Sequence, residues 1–266
     1  MRNSLLLLTC LCLFACTSNK QTREEEVNNT DTLKYSYKDF NLKHSMCDTV
    51  PDSLCNVYVK ANYPVFEDKN EAINAFIDTL ISYNPSSENP KPNGIQNAAK
   101  GFLADYSMLL KEVPNMIPGY SWEQNVKVTS QKLGLITLTY DSYTYTAGAH
   151  GSEETYFYNY DLKAKRALKL EDILIANYNT QLLKVAEEIF RNDEGLSATE
   201  SIEPYFSENN KFELCDNFLI KNEGLLFLYN IYEIKSYAEG TTELFIPYSR
   251  IKDIINPNGK LKNYIN

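Results

Sequence analysis

Between residues 122 and 170 the chain runs through four segments, 122–130, 133–145, 155–162 and 167–170, that are rich in Thr, Tyr, Val and Ile and separated by short connections. β-branched and aromatic side chains fit the pleated surface of a sheet, and links this short join only neighbouring antiparallel strands. The run predicts an antiparallel meander, with Gln131-Lys132 as the first turn and Lys163-Ala-Lys-Arg166 as the last. A sheet of this size needs something to cover its apolar face, so the rest of the chain must supply helices or a second sheet.

The flanking segments supply both. Residues 56–63 alternate, with Val57, Val59, Ala61 and Tyr63 on one side, and Pro64 is expected to end that strand. Asp68 and Glu71 form a helix-start signature ahead of an apolar stripe of Ala72, Ile73, Phe76, Ile77, Leu80 and Ile81. After a Pro-, Ser- and Asn-rich loop over 83–94, a second helix over 98–113 places Phe102, Tyr106, Leu109 and Val113 on one stripe, and Pro114 and Pro118 stop it. A third helix over 178–192 turns Leu182, Leu183, Ala186, Ile189 and Phe190 inward. A helical turn near 203–207 follows, then strands at 218–220, 225–232 and 242–246, with Asn222-Glu-Gly224 as a tight turn. Pro247 closes that sheet, and Ser249 caps a last short helix through Ile255. Strands and helices in this order, without strand-helix alternation, predict an α+β fold: antiparallel sheets with helices packed on one face, two sequential halves forming one composite unit.

Composition bounds the function. With 266 residues, 43% hydrophobic and 23% charged, the chain is an ordinary globular protein of one large or two small domains. Lys plus Arg number 26 against 35 Asp plus Glu, a net charge of −9 that lacks the basic footprint of a nucleic-acid binder. No apolar run after the first residues approaches the roughly 20 needed to cross a bilayer.

The first residues carry an address. Arg2 followed by the apolar run 5–14 has the form of a secretory signal, and Leu13-Phe14-Ala15-Cys16 resembles the lipobox of bacterial lipoproteins, in which the cysteine thiol receives diacylglycerol. On this reading residues 1–15 are a signal peptide, Cys16 is the lipidated mature N-terminus, and the polar, acidic segment 16–32 is a tether. A secreted protein whose signal ends near a cysteine is the alternative. Loss of Arg2 takes the net charge from −9 to −10. Thr17 and the acidic Glu24-Glu-Glu26 lean toward the outer membrane in a Gram-negative cell. Of six cysteines, Cys47, Cys55 and Cys215 are left for the folded part. Cys47 and Cys55 flank a Pro-Asp turn signal, so a disulfide closing a hairpin is expected in an oxidising compartment, with Cys215 a small buried hydrophobe; a pairing of Cys215 with either partner stays open.

The segment Tyr143-Thr-Tyr-Thr-Ala-Gly-Ala-His-Gly151, followed by Tyr158-Asn-Tyr-Asp-Leu162 and Leu168-Lys-Leu-Glu-Asp-Ile173, resembles the extracellular domain family shared by the lysozyme-sensing anti-sigma factor RsiV and the non-catalytic module of the peptidoglycan deacetylase PdaC. The stretches Phe218 to Phe227, Tyr232 to Gly240 and Phe245 to Tyr248 are similar to that family's C-terminal half, and Cys55 to Ile81 to its N-terminal half. The resemblance implies a PdaC-like half over 33–120 and an RsiV-like half over 121–266, at the cell envelope. Two positions depart from the pattern: Ala147 stands where the family often has Gly, and Ala164-Lys-Arg166 lacks its usual glycine.

Enzyme inventories are thin. Two histidines, His44 and His150, are too few for His-rich zinc sites, and phosphate loops and nucleophile elbows are absent, so neither metal nor other cofactor is expected. The sharpest chemical arrangement is His150 as base beside Ser152, oriented by Asp141 or Asp161; a glycoside-cleaving pair among Asp141, Glu153, Glu154 and Asp161 is another. Against these, Gly148 and Gly151 permit a tight loop in which His150 bonds backbone. Six tyrosines fall between Tyr140 and Tyr160: Tyr143 and Tyr145 share one strand face, and Tyr156, Tyr158 and Tyr160 one face of the next. Buried, they are cross-strand ladders; a solvent-facing row is a contact platform. The candidate binding residues are Tyr143, Tyr145, Gly148, His150 and Gly151. The expected function is a lipid-anchored envelope binding module, with a membrane contact through Cys16 and a basic protein such as lysozyme, or peptidoglycan, as ligand. A hydrolase of envelope glycans and a structural lipoprotein are the alternatives.

Overall fold

The computed structural model describes residues 32–49, 51, 55–67, 70–83, 94–113, 119–206 and 210–264. The signal, Cys16 and nearly all of the tether, Asp68, the loop over 84–93, and Pro114 and Pro118 lie outside them. Residues from 31 onward form one unit, within which the buried side chains gather into two clusters, one on each sheet.

A six-stranded sheet is built in sequence order from β1 (Tyr35–Lys43), β2 (Val57–Phe66), β3 (Tyr120–Lys132), β4 (Leu135–Thr146), β5 (Ser152–Asp161) and the two-residue β6 (Arg166–Ala167). The meander expected from 122 onward is β3 to β6. One pairing differs from an all-antiparallel sheet: β2 and β3 run parallel, Val57 to Asn62 beside Tyr120 to Asn125, which makes the sheet mixed. Parallel neighbours need a crossover, and α1 (Glu71–Ile81) and α2 (Ile95–Glu112) provide it, which is why both helices cover the same face.

Several boundaries moved for physical reasons. The first turn of the meander is Leu133-Gly134, not Gln131-Lys132. Both residues have positive φ (54° and 72°), the backbone of the two-residue hairpin turn that matches strand twist. A leucine at a left-handed position gives no sequence signal of a turn. Pro64 does not end β2, which continues to Phe66. Pairing with β3 stops at Asn62, so beyond it β2 has β1 as its one strand neighbour and tolerates a missing N–H. On α2 the buried residues are Ile95, Ala99, Phe102, Leu103 and Tyr106, while Val113 is exposed just past the helix end. The fourth meander segment is shorter than expected: after Ala167 the chain enters a helical turn, α3 (Leu170–Ile173).

Cys47 and Cys55 are disulfide-bonded across the β1–β2 connection, and Cys215 is free. Burial pushes the Cys215 thiol up to about 12, so it holds its proton at neutral pH and packs as a hydrophobe.

The second sheet has the order β7 (Phe218–Ile220), β8 (Gly224–Tyr229), β9 (Thr242–Pro247), antiparallel throughout. Its core is formed with α4 (Asn179–Asp193), through Leu182, Ala186 and Phe190, and with α5 (Tyr248–Ile251). Pro247, not Ser249, occupies the position before α5.

Asparagine side chains join the sheets. Because β6 pairs with Tyr160 and Asp161 alone, the rest of β5 would present an unpaired edge. Asn230 Oδ1 accepts from the Thr155 N–H, and Asn217 Oδ1 from that of Phe157 (2.8 Å each). Asn217 Nδ2 donates to the Thr155 carbonyl (2.8 Å). In the reverse direction the fully buried Asn159 donates to the Phe218 carbonyl (2.8 Å) and accepts from the Ile220 N–H (2.9 Å). Each amide stands in for a strand's donor and acceptor.

Candidate functional site

Alternation along β4 and β5 sends the two tyrosine rows to opposite faces. Tyr156, Tyr158 and Tyr160 lie under α1, where Phe76 packs against Tyr158 and Tyr160 at 5.4 and 5.1 Å between ring centroids. Tyr143 and Tyr145 lie on the face without helices, each partly exposed. Each ring is seated over a glycine: a Cβ on Gly151 would sit 2.3 Å from the Tyr143 ring, and one on Gly119 would sit 2.7 Å from that of Tyr145. Gly151 is therefore required by close approach. The loop's left-handed residue is Ala147 (φ 62°), and Gly148 accepts the Tyr145 hydroxyl bond through its carbonyl (3.0 Å). Both departures from the family pattern fall at left-handed positions, Lys165 having φ 55°.

His150 joins the two halves. Its Nδ1–H donates to the Gly151 carbonyl (3.0 Å), which leaves Nε2 to accept from the Tyr232 hydroxyl (3.1 Å). The imidazole stacks on Tyr237 at 4.4 Å and lies 6.1 Å from the Tyr232 ring, and the two tyrosines are 5.8 Å apart. This triangle is open to solvent: Tyr232 is 60% and Tyr237 40% exposed. Tyr232 is also held at φ 69°, a conformation that costs a β-carbon residue roughly 1–2 kcal/mol. A large exposed ring on strained backbone, as at Tyr232, does not serve packing, and strain of this kind gathers at functional positions.

Beside the triangle runs an acidic groove of ≈ 650 Å³ across β1 to β5. The cross-strand register places Lys60, Glu123, Tyr143 and Glu153 in one row and Asn62, Asn125, Asp141 and Thr155 in the next. Asp39, Glu123, Asp141 and Glu153 outnumber Lys60 along its lining. The Tyr58 hydroxyl donates to the Glu123 carboxylate; burial, then that carboxylate, push the phenol up to about 12. Asp141 pairs with Lys127 (2.9 Å) and accepts from the Thr155 hydroxyl (2.9 Å).

The hydrolytic arrangement around His150 is not assembled. Both imidazole nitrogens are taken by Gly151 and Tyr232. Asp141 serves Lys127 and Thr155, while Asp161 caps the turn at Lys163 and Ala164 (2.7 and 3.1 Å) and pairs with Lys260 (3.2 Å). Neither aspartate orients the ring. The other histidine, His44, bonds Ser107 (2.9 Å) and the Met46 N–H (3.2 Å), a structural role under α2.

Two family models match the chain in tandem: "Deacetylase PdaC" over residues 53–153 and "Protein of unknown function (DUF3298)" over residues 171–249. The chain carries a PdaC-like segment followed by a DUF3298-like segment. The resemblance read from Tyr143 to Gly151 and from Tyr232 to Tyr248 is thereby borne out. Crystal structures of similar proteins share the fold. A DUF3298 family member from Bacteroides fragilis is 23% identical, covers 89% of this chain and 99% of its own, and superimposes with a TM-score of 0.72. One from Pseudomonas aeruginosa is 22% identical, covers 86% and 96%, and gives 0.68. No curated protein matches the chain. The aromatic triangle spans both domains, His150 coming from the PdaC segment and Tyr232 and Tyr237 from the DUF3298 segment. Of its members, His150 was legible in the sequence. Tyr232 and Tyr237 lay inside a stretch that marked the family without suggesting a site. Among the described residues no helix is long and apolar enough to cross a membrane.

Proposed function

We propose that the chain is a binding module of the bacterial envelope, tethered by lipid on Cys16, and that it takes a basic protein such as lysozyme on the face formed by the His150 triangle and the acidic groove. The observation that carries this reading is the exposed His150–Tyr232–Tyr237 cluster, with Tyr232 on strained backbone, bordered by a row of carboxylates. Tyrosine presents rigid amphipathic area that anchors protein interfaces, and a negative surface raises encounter rates with a positive partner. The net charge of −9 acts in the same direction. Tethering is supported by Leu13-Phe14-Ala15-Cys16, and the envelope setting by the resemblance to PdaC and RsiV. A cell-wall glycan is the second ligand, favoured by the groove amides Asn62 and Asn125 beside Tyr143.

The test is a salt-titrated binding measurement of residues 17–266 with lysozyme and, separately, with soluble peptidoglycan fragments. Lysozyme binding that weakens with salt and falls by about tenfold or more in Tyr237→Ala, as expected for an aromatic anchor, supports the reading. Absence of lysozyme binding at about 10 mM salt defeats the basic-protein version, and binding of fragments alone would transfer the site to the glycan. Processing at Cys16 is checked by mass spectrometry of the membrane fraction, where an unmodified N-terminus would refute the tether.

A further inference from the structure

The helix-covered face of the large sheet holds a second cavity, of ≈ 310 Å³, between the last turn of α1 and strands β4 and β5. Tyr83, Tyr140, Tyr156 and Tyr158 form its walls, Trp122 closes its floor, and Glu154 stands beside it. The inner polar atoms are committed to one another. The Trp122 indole N–H donates to Ser142 Oγ (3.3 Å), and the Tyr140 hydroxyl donates to Oε1 of the buried Gln124 (2.9 Å), whose Nε2 reaches the Ile81 carbonyl (3.2 Å). The Tyr156 hydroxyl donates to Glu154 Oε2 (3.4 Å), and what faces an incoming ligand is ring surface edged by tyrosine hydroxyls and one exposed carboxylate, with no lysine or arginine among the described residues of the lining.

Aromatic faces are electron-rich, and together with a carboxylate they favour a positive charge carried on an apolar body. An anion meets Glu154 without a counter-charge. A neutral sugar brings no positive charge to the Glu154 carboxylate, and the Trp122 N–H and Tyr140 hydroxyl are already used. We propose that this pocket binds an alkylammonium group, its carbon chain against the tyrosine rings and its nitrogen at the Glu154 carboxylate. A free amine and the side chain of a lysine in an extended peptide offer the same chemistry. Ser142 and Glu154 line both this pocket and the acidic groove, but the aromatic walls that define the pocket belong to it and not to the groove or the His150 triangle, so Tyr237→Ala, which tests the proposed function, leaves this assignment untouched.

Trp122 is the only tryptophan in the chain, so its emission reports occupancy without a label. The full chain is titrated with n-butylammonium, with N-acetyl-Gly-Lys-Gly-amide and with n-butanol, by tryptophan fluorescence and by calorimetry in parallel. A saturable response to n-butylammonium is expected, with n-butanol at least about fivefold weaker and Glu154→Gln reducing ammonium affinity by about five- to tenfold, the range of a cation held by rings and one carboxylate. Because Glu154 is exposed, the variant retains the wild-type circular dichroism spectrum. Tighter binding of the peptide than of the amine identifies a lysine side chain as the source; the reverse order identifies a free amine. The proposal is overturned by equal binding of n-butanol, by an affinity indifferent to Glu154→Gln, by preference for N-acetylglucosamine, or by no response in either measurement at about 50 mM amine.

Discussion

Asn159 is where the two sheets depend most on a single side chain. Its amide is buried and bonds both the Phe218 carbonyl and the Ile220 N–H, so replacement by leucine, of similar volume, strands a backbone acceptor and a backbone donor where water has no access. An unsatisfied buried group costs about 1–3 kcal/mol, and partial relaxation brings the two together to about 2–4 kcal/mol. A unit of this size has a urea m value near the upper end of the usual range, about 3 kcal/mol/M, so the midpoint should fall by about 1 M. Thermal unfolding should shift down by roughly 4–16 °C. The variant should also lose cooperativity if the amides transmit stability between the sheets, with fluorescence of Trp122 in the first sheet unfolding apart from far-ultraviolet dichroism. A midpoint within about 0.3 M of wild type, with m unchanged, would refute the idea that Asn159 substitutes for strand pairing.

Three further outcomes follow from the site and its loops. Gly151→Ala forces the Tyr143 ring aside, and should destabilise by about 1–3 kcal/mol and weaken lysozyme binding, read by denaturant titration and by the same binding assay. Ala147→Gly relieves a left-handed residue at the expense of chain entropy, with a net gain of about 0.5 kcal/mol expected; a loss of stability would show that the alanine methyl packs usefully. The Arg166 guanidinium, chiefly by hydrogen bonding, holds the Asp172 carboxyl below the usual carboxylate range. A carboxyl lowered in the folded state contributes stability above its unfolded pKa of about 3.9 and loses it as pH falls through the folded value. Asp172→Asn should therefore be less stable than wild type at pH 7, with the difference closing below about pH 4; a difference constant with pH would exclude this origin.

Residue patterning revealed most of the architecture because most elements obey a simple period. The strip Ile73, Ile77, Leu80 and Ile81 is buried as its spacing implies, and β3 to β5 lie where Thr, Tyr and Val accumulate. The misses share a cause, which is that local preference lost to tertiary context. Leu133 takes a turn conformation usually given to Gly or Asn, and Pro64 sits within a strand because β3 has already left its side. β1 alternates only in two short pieces, Tyr35/Tyr37 and Phe40/Leu42, that Lys38-Asp39 throws out of phase, and it forms by pairing with β2. At the site, Tyr143, His150 and Gly151 were readable from one loop. Their neighbours Tyr232 and Tyr237 come from 80 or more positions along the chain, and no period within a segment reports such a meeting.

Because His150 belongs to one domain and the two tyrosines around it to the other, neither can be inherited, excised or shuffled alone without losing the shared surface. Separation would also unmask the β5 backbone that Asn217 and Asn230 now occupy, leaving a strand edge free to recruit copies of itself. A gene encoding the first domain alone would therefore need a replacement cover for that edge, and sequence changes along β5 should mark any lineage in which the two have parted.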